Sequence, residues 1–158
     1  MKSIVLLCLL PLALIAQSSL REDTANLKGI NFLYMNVDTS LAPDITASER
    51  MDISDIVELQ LRRADINLRP YVVNAPKSNV PLVEVSIKEA DARGGDSYEL
   101  VLRVHDFVTI DRNKEKTIAT IFEVRRQTTP TTNNMVPLKT RLRELMGDFV
   151  AAFKKENP

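Results

Sequence analysis

One stretch limits the fold more than any other. Tyr98, Leu100, Leu102, Val104, Val108 and Ile110 share one parity, the period-two pattern of a strand with one buried face. A charged turn, Asp111-Arg112-Asn113-Lys114-Glu115-Lys116, follows, and Ile118, Thr120, Phe122 and Val124 alternate on the way back. Upstream, Val83, Val85 and Ile87 alternate with Glu84, Ser86 and Lys88, a half-buried strand with one wet face. Gly94-Gly95 stands between these runs, where the positive φ of a tight hairpin favours glycine. Three successive strands with short turns predict an antiparallel meander.

The flanking segments predict two helices. Thr46-Ala47-Ser48-Glu49 has the form of a capping box, and Ile53, Ile56, Val57, Leu61 and Ala64 then recur at helical spacing. Arg62-Arg63 suits the helix end. Near the C-terminus, Pro137 fits a first helical turn. Leu138, Leu142, Leu145, Met146, Phe149, Ala152 and Phe153 then form an apolar stripe, with Gly147 pointing away from it. Ile30 to Val37 reads as a first strand, and Thr39 to Ile45, with Pro43, as a loop. Asp65 to Val73 reads as a turn into a short edge strand interrupted by Pro70. The expected fold is α+β: a mostly antiparallel sheet, a meander of three to five strands, with two amphipathic helices on one face.

The start of the chain reads as an address. Met1-Lys2 precedes an apolar run from Ser3 to Ala16, with small residues at the exit, as in a secretory signal peptide cleaved between Ala16 and Ser18. The run is short of the roughly 20 residues that span a bilayer, so no stable membrane span is expected after cleavage. Cys8 follows Leu7 inside the run rather than a small residue, which argues against lipidation. The expected organisation is a signal peptide over 1–18, a flexible lead-in over 19–28 and one α+β domain over 29–158. The protein is then exported, periplasmic or extracellular.

Composition removes most chemistry. There are 21 Lys+Arg against 21 Asp+Glu, without the basic excess that phosphate contacts need, so nucleic acid is not an expected partner. The one Cys lies in the signal and there is one His, which leaves no disulfide, thiol nucleophile or multi-His metal site. Neither a Gly-rich phosphate loop nor a Gly-x-Ser-x-Gly elbow occurs. Asp52, Asp55 and Glu58 read as a solvated helix face rather than a calcium or magnesium site. Arg62-Arg63 and Arg125-Arg126 are isolated basic pairs. No cofactor, metal or catalytic set is expected.

Two residues stand out. His105 shares its parity with Glu99, Arg103 and Thr109 and reads as surface-facing. Asp106 interrupts the apolar parity between Val104 and Val108. It is either a buried carboxylate, costly unless paired, or turned outward by a bulge near His105–Phe107, which the misplaced Phe107 favours.

Several segments resemble a group of small exported bacterial proteins without an assigned function. They are Val57-Glu58-Leu59-Gln60-Leu61-Arg62-Arg63-Ala64-Asp65-Ile66, Pro81-Leu82-Val83-Glu84-Val85, Tyr98-Glu99-Leu100, Lys116-Thr117-Ile118-Ala119-Thr120-Ile121-Phe122 and Phe149 through Asn157-Pro158. In that group an aromatic follows the Ala-Thr pair; here Ile121 displaces it to Phe122. The resemblance implies export and a single domain, and carries over no catalytic residue.

What remains is a surface. Val101, Arg103, His105, Phe107 and Ile121, with Ala119, Glu99, Glu123 and Arg125, form a candidate interaction face away from the helices. The expected function is that of an exported, non-enzymatic binding or accessory protein acting through a sheet face or edge. Its expected partner is another envelope protein or a second copy. The alternatives are a small-molecule or lipid pocket between helices and sheet near Tyr98 and Phe149, and a hydrolase built on Asp106 and His105.

Overall fold

A computed structural model describes residues 24–73, 79–90, 97–128 and 135–158. A 3-10 turn at Thr24–Leu27 leads into β1 (Leu33–Leu41), α1 (Ala47–Arg63), β2 (Leu68–Arg69), β3 (Leu82–Ala90), β4 (Ser97–Thr109), β5 (Lys116–Gln127) and α2 (Met135–Glu156). Local chemistry starts α1 at the residue the sequence marks. Thr46 is extended, its hydroxyl accepts the Glu49 N–H, and the Glu49 carboxylate accepts the Thr46 N–H at 2.8 Å. The Thr46 hydroxyl also donates to the Glu49 carboxylate at 2.6 Å, and this bond, with the one from the Thr46 N–H, holds the Glu49 carboxyl below its ordinary pKa.

The sheet is mixed, which corrects the expected antiparallel meander. Its strand order is β2-β1-β3-β4-β5. β3, β4 and β5 form the meander, but β1 lies parallel to both β2 and β3. The connection from Leu41 to Leu82 carries α1 and β2, long enough for the crossovers that parallel neighbours need. Strand direction at β1 is set by that crossover and not by anything within Leu33–Leu41. The strand also runs on into the stretch expected to be loop.

Both helices pack on one side of this sheet. Ile53, Val57 and Leu61 of α1 join Leu138, Leu142, Leu145, Met146, Phe149 and Phe153 of α2 in one buried cluster. Val83, Val85, Ile87, Tyr98, Leu100, Leu102, Val104, Phe122 and Val124 supply its floor. Phe149 is the hub, with ring centroids 5.8 Å from Phe122 and from Phe153. Gly147 faces outward, and a Cβ there would meet nothing.

The entry turn lies within the expected lead-in. Leu27 is fully buried in the core, so the flexible reading of 19–28 fails from Thr24 onward. Gly29, at φ +84°, lets the chain turn toward β1. The Asn157 side chain accepts the Gly29 N–H and donates to the Leu27 carbonyl, both at 2.8 Å, while the Thr24 hydroxyl donates to Glu156 at 2.8 Å. These bonds tie the entry turn to the end of α2. The signal segment 1–18, the Gly94-Gly95 hairpin and residues 129–134 lie outside the described residues. Among those described, no helix is long and apolar enough to cross a membrane.

The bulge expected near His105–Phe107 of β4 is absent, and the irregularity of this ladder lies on β5. Val104 pairs with Phe122 and the next residue, His105, with Thr120, which leaves Ile121 without an opposite number. β5 therefore carries the extra residue and β4 alternates through Asp106. Thr120 and Ile118, expected on the helix side with Phe122, fall on the other face opposite His105 and Phe107.

Candidate functional site

The face without helices carries a continuous row of charge pairs across three strands. Lys88 on β3 meets Glu99 on β4 at 2.5 Å, and Glu99 meets Arg125 on β5 at 3.2 Å. Arg125 binds Glu123, and Glu123 binds Arg103, each at 2.7 Å. Arg103 reaches the Ser86 hydroxyl at 3.5 Å. The register explains the row. Ser86, Val101 and Arg125 stand side by side on neighbouring strands, with Glu99 and Arg103 two residues to either side of Val101.

Val101 lies under this row and is only 3% exposed. Long charged side chains lay their methylene stems over apolar surface while their heads stay wet. The centre of the expected face is therefore sealed by its own neighbours, and Val101 and Arg103 serve as packing and pairing groups. The electrostatics agree. Hydrogen bonding from Lys88 is the largest influence lowering the Glu99 pKa, with Arg125 adding to it. Burial pushes Glu123 upward, but hydrogen bonds from Arg125 and Arg103 outweigh it and leave its pKa lowered. Arg125 is raised in turn, chiefly by Glu123.

The open part of the face lies toward the β4–β5 turn. His105 keeps the surface orientation expected of it, with its Nδ1 3.2 Å from the Thr120 hydroxyl and its Nε2 3.9 Å from Glu84. The neighbouring His105 is the main cause of a lowered Glu84 pKa. Phe107, opposite Ile118, is 52% exposed.

Ile121 does not belong to this face. It packs against the core cluster, and its carbonyl accepts a hydrogen bond from the Asn26 side chain at 3.3 Å. Ala119 leaves the face too, because it stands opposite Asp106. The bulge moves both, and brings in Ile118 and Thr120, which reading by parity missed. The adjacent apolar pair Ile121-Phe122 stands at the shift, though the same pattern sits in regular register at Val101-Leu102.

Asp106 is half-buried, and its carboxylate accepts the Phe107 N–H at 2.7 Å. It faces the helix side, but no residue of β4 beyond Val104, or of β5 before Phe122, is buried. The hairpin outruns the core there, so parity no longer means burial. His105 and Asp106, consecutive on a regular strand, point to opposite faces and are not brought together.

Other sequence candidates resolve into pairing. Asp52 meets Lys139 at 2.7 Å, Glu58 meets Arg62 at 2.7 Å, and Arg126 pairs with Asp148. Among the described residues no group of three or more His, Cys, Asp or Glu is placed to hold a metal ion. Tyr98 and Phe149 are buried, and the Tyr98 hydroxyl donates to Asp44.

A mixed five-stranded sheet with two helices on one face and a charge-sealed second face is thus the class of structure. No family model matches the chain, and no curated protein matches it. Solved structures similar to it include the PelC dodecamer from Paraburkholderia phytofirmans, at 11% identity and a TM-score of 0.47 over 80% of this chain and 92% of that one. A hypothetical protein from Chlamydia trachomatis is similar at 12% identity and a TM-score of 0.44, over 78% and 98% of the two chains. A minor lipoprotein from Acinetobacter baumannii is similar at 15% identity and a TM-score of 0.29, over 79% and 90%.

Proposed function

We propose that the protein is an exported, non-enzymatic binding protein of the bacterial envelope that grips a second polypeptide with the end of its β4–β5 hairpin. One observation carries this reading. Beyond His105, β4 pairs among the described residues only with β5, and this two-stranded arm exposes Phe107 and Ile110 while Ile118 lies opposite Phe107. A ribbon without a third strand is marginal in water, so apolar contact there stabilises both arm and complex. The charge row around Val101 supplies the polar rim such interfaces carry. The apolar run from Ser3 to Ala16 supports export, and the separation of His105 from Asp106 supports binding over hydrolysis.

The experiment is crosslinking in the native envelope with the tagged full chain. Phe107→Ser is expected to abolish the crosslinked product while the protein keeps its circular dichroism spectrum. A folded Phe107→Ser variant that still captures the same product would end this reading.

A further inference from the structure

The other border of the sheet holds a second open feature. Among the described residues β2 pairs only with Leu33 and Tyr34 of β1, and it stops at Arg69 before Pro70, which has no amide to donate. From Met35 to Leu41, β1 has β3 on one side and no described strand on the other. The hydrogen bonds show which groups face outward. The Leu33 N–H bonds Asn67 on the β2 side, and the Tyr34 N–H bonds Pro81 on the β3 side. Alternation continues along a strand, so Val37 turns its N–H and C=O to the open edge.

A cleft of about 490 Å³ follows that edge, lined by every residue from Met35 to Ser40. Successive side chains point to opposite faces, so a single cleft reaching all of them runs along the backbone. Its far wall is α1, which contributes Arg50 and Ser54. A neighbouring cleft of about 250 Å³ shares Met35 and Tyr71 and adds Glu58 and Arg62. Arg50, Ser54, Glu58 and Arg62 recur every four residues, one stripe along the helix. The stripe is roughly 18 Å long at 1.5 Å per residue, the reach of a strand of about six residues. An extended chain thus has a backbone edge on one side and a polar helix wall on the other.

The charges select the occupant. Arg62 is paired with Glu58 at 2.7 Å, and Arg69 lies 3.5 Å from the centre of the Phe32 ring. The Asp38 carboxylate accepts the Ser40 N–H at 2.9 Å. Arg50 donates through Nε to the Ile45 carbonyl at 3.1 Å and, among the described residues, meets no carboxylate. We infer that this cleft takes an extended acidic segment of another polypeptide as an added strand on β1, with a carboxylate against Arg50. The inference rests on the binding-protein reading but uses a different surface from Phe107.

The test begins with amide hydrogen exchange on the full chain. The Val37 amide is expected to exchange about tenfold or more faster than those of Asn36 and Asp38, which face β3. Equal protection of all three overturns the open edge. A random peptide library displayed on phage is then panned against the chain. The expected winners carry Asp or Glu among alternating β-branched residues, and a synthetic winner slows Val37 exchange by about tenfold. Arg50→Glu is expected to turn selection toward Lys and Arg. A panning without winners, selection indifferent to Arg50→Glu, or binding that leaves Val37 exchange unchanged overturns the inference. So does Val37 protection that rises with protein concentration alone, which assigns the edge to a second copy. Phe107→Ser serves as the control. It is expected to leave Val37 protection by peptide intact, so the two surfaces fail or survive separately.

Discussion

The two faces of the sheet keep water out by different means. On one, Val85, Leu102 and Val124 are dry because α1 and α2 lie over them. On the other, Val101 is almost as hidden, but its cover is a row of paired charges standing on flexible stems. Burial under helices is non-directional and rests on no charge that acid could remove. Burial under ion pairs lasts only while the carboxylates stay ionised. A polar face can therefore contain a protected apolar site that its composition conceals, and what such a face offers a partner is whatever the charges leave uncovered.

Three measurements would break or sharpen this contrast. The largest effect is expected in the helix-covered layer, where Phe149→Ala removes the ring shared by Phe122 and Phe153 and costs about 4 kcal/mol in urea unfolding. Next, Val101→Ala is expected to cost about 2 kcal/mol, the value for buried apolar side chain rather than for a wet strand position. A cost near zero would mean the charge row is no lid and the two faces do not compare.

The smallest effect belongs to the charges themselves. Glu99→Gln breaks contacts with Lys88 and Arg125 and is expected to cost about 1 kcal/mol or less at neutral pH. Its acid dependence is more telling. Glu84, Glu99 and Glu123 have folded pKa values below their ordinary value. The unfolded chain therefore binds their protons first. Their contribution is present above the ordinary glutamate value of about 4.3 and fades as pH falls through the lowered folded values. Denaturation midpoints measured from neutral pH downward should fall less steeply for Glu99→Gln than for the parent chain.

What the sequence revealed divides along the same line as local and distant causes. The Thr46 cap, the Phe149 stripe and the β3–β5 meander were legible because each depends on neighbours within a few residues. The direction of β1 was not, since it depends on a crossover that spans α1 and β2. Leu27 was passed over because a lone apolar residue in a polar stretch has no periodicity to mark it. At the candidate face, parity placed His105 and Phe107 on the side away from the helices, where His105 is half-buried and Phe107 exposed. Val101 was misjudged because parity predicts which face a residue takes, and says nothing of stems reaching over it from Arg103 and Arg125. Asp106 suggested a bulge on its own strand, but β4 alternates regularly through it; Asp106 breaks the apolar parity because the hairpin outruns the core there, and the extra residue is Ile121 on β5.

That extra residue has a consequence for length. Regular strands do not tolerate the loss of a single residue, because everything beyond the gap turns over. Ile121 is the exception. With it gone, Phe122 would still stand opposite Val104 and Thr120 opposite His105, and no side chain on either flank would change sides. Such a deletion would forfeit the packing of one isoleucine while preserving the orientation of the whole arm. At this position alone β5 can be shortened by one residue and still deliver Phe107 and Ile118 to the same surface.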